Sequence, residues 1–413
     1  MKEKFKHTPN PTFKQAVLFG LLFLILVSFL LFGVFYQKTQ QFSLLAQSFD
    51  HLKLYFLKSI GGLGQDPVFY NHHIYWSEGP FPAILLMPFV AITKVVFGAF
   101  FFQGYLSWLL SLGVILFVYK ISRRLGFNGE DSLLLGLVFA IGSVFIGVST
   151  VTSSWYFAQV IATFLLFWGL YEYFCRAPRR WWLLGIISAL ILLTRVPAAA
   201  IVIFLLLELF RVSHNRKQQL KFLAQLLVPV VVAGFILLFY NFLRFHNPFQ
   251  TGFKYELLSS MATKSRALGT ISPIHIPANL YSLLLRPPLP ILRNPSSWTL
   301  KFPFITNNPY GISIFITSPY LLYLFIVGWR KYSRTLRNLL LSAIVSLLAV
   351  TSYFGIGVNQ YGYRYSLDFL PALFVIFLAL YRNHHDKLSL GMKLLLIGSI
   401  ILNSYLMLVT IYY

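Results

Sequence analysis

Asp50, Asp66 and Glu78 are three of only eleven acids in 413 residues, and all three fall in one polar stretch after the first apolar run. A carboxylate at the edge of an apolar wall has its pKa raised and becomes a competent general base near neutral pH. The stretch Asp66-Pro67-Val68-Phe69-Tyr70-Asn71-His72-His73-Ile74-Tyr75-Trp76-Ser77-Glu78-Gly79-Pro80 surrounds two of these acids with rings. Tyr70, Tyr75 and Trp76, with His73 beside them, are candidates to contact a sugar. The competing reading is anchoring of Tyr and Trp at a membrane interface, with Asp66 a turn residue before Pro67.

The candidate cations lie elsewhere. Arg195 sits in Leu193-Thr194-Arg195-Val196-Pro197 between two short apolar runs. A charge there is expensive unless it is paired or faces a polar cavity; the alternative is snorkelling to the surface. Arg364 lies in Asn359-Gln360-Tyr361-Gly362-Tyr363-Arg364-Tyr365-Ser366-Leu367-Asp368. Its spacing from Asp368 lets one helical face pair the two. Arg286, Arg293 and Lys301 add positive charge suited to clamping a phosphate, whereas Lys254, Lys264 and Arg266 read as solvated loop residues. Asn247 and Gln360 are candidate polar contacts to a sugar or acceptor. His72-His73 has no second ligand set at zinc-like spacing, so a divalent metal is possible but unsupported. Neither a P-loop nor a Gly-x-Gly-x-x-Gly turn is present, and nothing in the chain requires a cofactor.

These residues need a scaffold, and composition names it. The chain is 57% hydrophobic with mean hydropathy +0.71, and charged residues make up 11%, against about 25% in soluble proteins. That predicts an all-α polytopic membrane protein, since long Leu/Ile/Phe-rich runs favour helices over a barrel. The net charge of +23 is scattered through short loops, where it sets orientation and meets anionic headgroups, so no nucleic-acid partner is expected. Cys175 is the only cysteine, which excludes an intrachain disulfide. The basic segment Met1–Lys14 precedes a run read as a retained first span.

Apolar runs occur near 16–36, 81–101, 103–119, 132–150, 155–174, 181–211, 221–243, 309–329, 338–356, 366–381 and 392–412. The basic clusters Lys120/Arg123/Arg124, Arg176/Arg179/Arg180, Arg211/Arg216/Lys217/Lys221, Arg330/Lys331/Arg334/Arg337 and Arg382/Lys387/Lys393 should share the cytoplasmic side with the N-terminus. One threading satisfies them all if 81–101 does not cross and 181–211 crosses twice, turning at Thr194–Pro197. This gives about eleven spans and two long outer segments, 37–102 and 244–308. The expected organisation is residues 1–243 as an N-terminal transmembrane module that includes 37–102, then the loop 244–308, then the helices of 309–413. Within the first outer segment, Phe42–Ser59 has the periodicity of an interfacial helix ended by Gly61-Gly62-Leu63-Gly64.

Three stretches together resemble the GT-C superfamily of membrane glycosyltransferases, in its bacterial mannosyltransferase-like and uncharacterised branch. They are Asp66 to Pro82 leading into Leu85-Leu86-Met87-Pro88, then Leu193 to Pro197, then Asn241 to Phe253, with a weaker match at Gly362-Tyr363-Arg364-Tyr365. Two features depart from the pattern. Gln40-Gln41 stands where many members carry acids just after the first span, and His72 stands where Gly is expected. The resemblance implies a polyprenyl-phosphate sugar donor, a glycan, lipid or protein acceptor, and an extracytoplasmic active face in a bacterial plasma membrane. It implies Asp66, or else Asp50, with Glu78 third, as general base, and Arg195 and Arg364, helped by Arg286 or Arg293, on the leaving phosphate. The alternatives are a flippase for lipid-linked sugars and a surface-glycan polymerase or ligase.

Overall fold

The structure is a computed structural model and describes residues 13–36, 38–58, 66–213, 215–294 and 296–412. The predicted stop at Gly61–Gly64 lies outside the described residues.

The first long helix, α1 (Phe13–Phe35), leads to a short surface helix, α2 (Gln41–Asp50). It ends earlier than the Phe42–Ser59 periodicity predicts. Leu52 takes φ +55°, its N–H reaches the Phe49 carbonyl, and the Lys53 N–H reaches Ser48. That pair of bonds closes a helix C-terminus. A hairpin of β1 (Val68–Tyr70) and β2 (His73–Tyr75) follows, where no regular element was expected. Its turn residues Asn71 and His72 have φ +47° and +61°, as two-residue hairpin loops require. His72 therefore occupies a glycine-like backbone position, as the departure from the family pattern suggests.

Next come α3 (Phe81–Phe97), α4 (Gln103–Leu125), α5 (Gly129–Ile141), α6 (Phe145–Thr150), α7 (Ser154–Cys175), α8 (Trp181–Thr194), α9 (Ile201–Val212) and α10 (Arg216–Phe245). The second outer segment holds α11 (Ser260–Ala267), α12 (Ile276–Leu284) and a ribbon of β3 (Leu289–Asn294) with β4 (Ser297–Thr306). The chain closes with α13 (Ile314–Thr317), α14 (Tyr323–Ile326), α15 (Arg334–Thr351), α16 (Leu370–His384) and α17 (Leu390–Tyr412). Among the described residues, five helices, α4, α7, α10, α15 and α17, are long and apolar enough to cross a membrane. The architecture is that of a helical integral membrane protein. The run at 309–329 is not one helix as predicted: α13 ends at Ser318-Pro319, a 3-10 turn covers Pro319–Leu322, and α14 adds four residues. Pro319 has no N–H to continue the α13 ladder.

The basic loops converge on one end of the bundle. Lys120, Arg124 and Arg176 surround Cys175. Arg180 bonds both oxygens of Glu172 at 2.6 Å. Glu208 accepts from Arg211, from Tyr173, from Thr335 at 3.1 Å and from Asn338 at 2.6 Å. Arg382 lies against Gly126, and Lys393 pairs with Asp131 at 2.8 Å.

Both threading conditions have structural counterparts. The start of α3 abuts Leu193, because a Cβ on Gly79 would fall 2.1 Å from the Leu193 carbonyl oxygen. After α3 the chain returns to the same end: Gln103 donates its backbone N–H to Gln40 and its side-chain amide to Ser154, at the start of α7. Thus α3 begins and ends opposite the basic loops. The 181–212 run breaks at Arg195, since Pro197 cannot extend α8, and α9 runs back to Arg211. With 14 residues, α8 is about 21 Å long, shorter than a hydrocarbon slab of about 30 Å. Arg195 therefore sits inside the bundle rather than on its surface.

Candidate functional site

Four chain segments meet opposite the basic end. The hairpin delivers Asp66 before β1 and Glu78 after β2. The break between α8 and α9 delivers Arg195. A 3-10 turn, Arg364–Asp368, delivers Arg364, Tyr365 and Asp368. The second outer segment delivers Glu256.

Hydrogen bonds strap the hairpin to the second segment. Val68 bridges Glu256, the Leu257 N–H reaches the Pro67 carbonyl at 3.0 Å, and Ser77 Oγ donates to Glu256 Oε1 at 3.0 Å. Arg244, near the end of α10, donates to the Trp76 carbonyl at 2.5 Å and to Asn241 Oδ1 at 2.7 Å, with its guanidinium 3.8 Å from the Tyr240 ring centre. The Asn241–Phe253 stretch therefore holds the acidic hairpin in place.

Arg195 is spent on Asp368. Nε and Nη2 reach the two carboxylate oxygens at 2.7 and 2.8 Å, and both residues are buried. This corrects the expected Arg364–Asp368 pair. The segment is a 3-10 turn with three residues per turn, so positions four apart diverge instead of sharing a face. Arg364 is left without a carboxylate. It is 8% exposed; Nη1 reaches Gln159 Oε1 at 3.4 Å, Nη2 reaches the Tyr365 hydroxyl at 3.2 Å, and Nε has no partner. The Tyr365 ring lies between the two guanidiniums, 4.5 Å from Arg364 and 5.8 Å from Arg195.

Two carboxyls, Asp66 and Glu78, face these cations, and Glu256 lies beside the two acids with Arg266 as its nearest cation. Burial pushes Asp66 above the ordinary carboxylate range, and the Arg364 charge only partly offsets it. Burial likewise raises Glu78, opposed by Arg195 and Arg364 and reinforced by Asp368 and Asp66. Burial, with Asp66 next, pushes Glu256 up to about 8. Asp66, Glu78 and Tyr365 keep part of their surface open, while Arg195, Arg364, Gln159 and Gln360 around them are buried. Glu78 is thus enclosed by protein yet partly open, and its open surface with that of Asp66 and Tyr365 marks the candidate cleft. No group of three His, Cys, Asp or Glu converges tightly enough to hold a metal ion among the described residues.

Other expected residues fall outside this cleft. Asp50 ends α2 and is exposed. Arg286 donates to the Tyr310 carbonyl at 3.3 Å, which also accepts from Gln360, so it stands one residue behind the cleft wall. Arg293 is exposed on β3 and Asn247 is exposed, bonding the Phe249 N–H at 2.9 Å. Trp76, Tyr75 and Gln360, expected as sugar contacts, are covered by protein. Trp76 and Gln360 have no exposed surface, and Tyr75 is buried against Phe245; a covered ring cannot stack on a ligand. Gln360 instead accepts the Arg364 N–H at 3.3 Å. Tyr70 is half-buried against Tyr255 and Phe245, and the His73 ring is stacked on Tyr55 at 3.8 Å.

The sequence reading passed over Glu256, Tyr365 and Gln159. Glu256 carried a signal, being the lone acid between Glu208 and Asp368. Gln159 carried a weaker one, as an amide within an apolar helix.

No family model matches the chain, and no curated protein matches it. Among solved structures it is similar to the Archaeoglobus fulgidus oligosaccharyltransferase in its apo form, with TM-score 0.47 and 14% identity over 93% of this chain and 55% of that one. It is also similar to archaeal oligosaccharyltransferase AglB from Archaeoglobus fulgidus in complex with an inhibitory peptide and a dolichol-phosphate, with TM-score 0.44 and 15% identity over 93% and 55%. The chain spans about half the length of these neighbours.

Proposed function

We propose that this protein is an inverting membrane glycosyltransferase that moves a sugar from a polyprenyl-phosphate donor to an acceptor hydroxyl. In this reading the bundle has eleven passes with the N-terminus cytoplasmic, and the cleft opens on the extracytoplasmic face of a bacterial plasma membrane. The convergence of the basic loops at the opposite end supports that sidedness.

The observation that carries the proposal is Arg364, a buried guanidinium with no carboxylate partner and an unbonded Nε, within electrostatic reach of Asp66. A buried cation is costly unless an anion completes it, and a phosphate suits a guanidinium fork. The donor phosphate binds Arg364. Asp66 takes the proton of the acceptor hydroxyl, whose oxygen forms a bond to the anomeric carbon. The bond from that carbon to the phosphate oxygen breaks, and polyprenyl phosphate leaves with the electron pair. Arg364 stabilises the growing charge on that oxygen. Arg195 holds Asp368, and through it the turn that carries Arg364. Glu256, pushed up to about 8, acts as a neutral acid near pH 7, and Glu78 hydrogen-bonds the sugar or acceptor.

The test is sugar transfer in proteoliposomes from a polyprenyl-phosphate sugar donor, comparing Asp66→Asn with Asp50→Asn. Loss of transfer in the first and retention in the second is expected. Full activity in Asp66→Asn overturns the assignment of the base.

A further inference from the structure

The β3–β4 ribbon of the second outer segment turns large apolar side chains outward. Trp298 is 88% exposed and Phe302 73%, and Leu300 and Phe304 between and beyond them are exposed too. From Trp298 to Phe302 apolar and polar residues alternate, Trp-Thr-Leu-Lys-Phe. Register shifts flank Leu292; such irregularities bend and twist a ribbon. Arg293 and Lys301 are exposed on it, and no acid occurs anywhere between Glu256 and Asp368.

The position of the ribbon decides what meets this surface. Its root is bonded to α17, where the Tyr405 hydroxyl donates to the Pro303 carbonyl. At the basic end of the same helix, Lys393 pairs with Asp131. Twelve helical residues separate Lys393 from Tyr405, about 18 Å of rise. The root therefore stands within a hydrocarbon slab of about 30 Å, on the side of the cleft. Hydrocarbon cannot satisfy the open edges of a two-stranded ribbon, so the ribbon must rise from its root into the headgroup layer, where water reaches those edges. Trp favours this layer, Phe and Leu beside it are the side chains that interfacial segments bury at the headgroup–acyl boundary, and exposed Arg and Lys match anionic headgroups.

The geometry points to the β3–β4 ribbon as a membrane-docking arm, with Trp298, Leu300 and Phe302 inserted among the outer-leaflet lipids and Arg293 and Lys301 on their headgroups. It pins the second outer segment, which supplies Glu256, to the bilayer surface beside the cleft. The inference rests on the placement of the ribbon and is independent of any sugar chemistry.

The experiment uses the full chain carrying Cys175→Ser, in nanodiscs of mixed neutral and anionic phospholipid. A nitroxide is attached at Trp298→Cys or Phe302→Cys, with Lys387→Cys at the basic end as the reference. Dissolved oxygen is expected to relax labels at 298 and 302 more than a water-soluble nickel chelate does, and the label at 387 should show the reverse. As a second measurement, Trp298→Phe should reduce the quenching of intrinsic fluorescence by brominated lipid. Labels at 298 and 302 relaxed mainly by the chelate would place the arm in water. Labels relaxed by neither reagent would place it under protein, whether a second copy or a partner. Either result overturns the inference.

Discussion

Arg195 and Asp368 are 173 residues apart in sequence and meet through two parallel hydrogen bonds, at 2.7 and 2.8 Å. The pair ties the break between α8 and α9 to the turn that precedes α16. Since both side chains are buried, the bond also leaves Arg364 as the uncommitted cation of the cleft. The arrangement has measurable consequences.

Asp368→Asn strands the Arg195 charge inside the protein. Removing one partner of a buried pair costs about 3–5 kcal/mol, so the melting temperature of the solubilised protein should fall by several degrees. Asp386→Asn removes an exposed partner of Arg382 and should leave melting unchanged. Equal melting of the two variants would show that the pair adds nothing to stability.

Under the proposed mechanism Arg364→Gln should weaken donor binding. A hydrogen bond to a charged group contributes about 1.5–3 kcal/mol, which corresponds to a rise of roughly 10- to 100-fold in KM for the polyprenyl-phosphate donor. Arg293→Gln, outside the cleft, should leave KM within about twofold by the same reasoning. The pair of titrations distinguishes a phosphate clamp at Arg364 from a diffuse positive surface.

In the proposed transfer Asp66 must be ionised to accept a proton, and burial raises its pKa. Transfer should therefore fall as pH drops, with a midpoint above the usual carboxylate value of about 4. Asp66→Asn should cost about 10²–10⁴-fold in rate and abolish that limb of the pH profile.

Glu256 has a folded pKa of about 8, above the unfolded value of about 4.3. The folded state then binds the extra proton, so its stability is fully present below the unfolded value and is lost as pH rises towards 8. Glu256→Gln mimics the protonated acid and can still accept the Ser77 hydroxyl. Thermal melts should show the variant more stable than the parent near pH 8 to 9 and no different near pH 4, with the crossover set by this one group.

Gly79→Ala would push a methyl group to 2.1 Å from the Leu193 carbonyl oxygen. The start of α3 must then shift away from α8, carrying Glu78 with it. Overpacking of this kind costs about 1–3 kcal/mol. A fall in melting temperature together with a loss of transfer is expected, whereas Gly234→Ala, with open space around it, should be silent.

Much of this was legible in the chain itself. Hydropathy and the placement of Lys and Arg determined a helical membrane protein whose basic loops share one end, because burying apolar surface and excluding charge from lipid act on local sequence. The Pro197 break and the non-crossing of 81–101 followed from the same terms. The scarcity of acids pointed to Asp66 and Glu78. The tertiary structure alone decided which charges are spent and which stay free. Four-residue spacing suggested Arg364 with Asp368, but a 3-10 turn and the approach of Arg195 from a distant helix break redirected that carboxylate. It also decided that Trp76 and Gln360 are buried, and that Glu256 joins Asp66. Pairing and burial depend on which segments meet across the fold, and that long-range term is not written in the spacing of any single stretch.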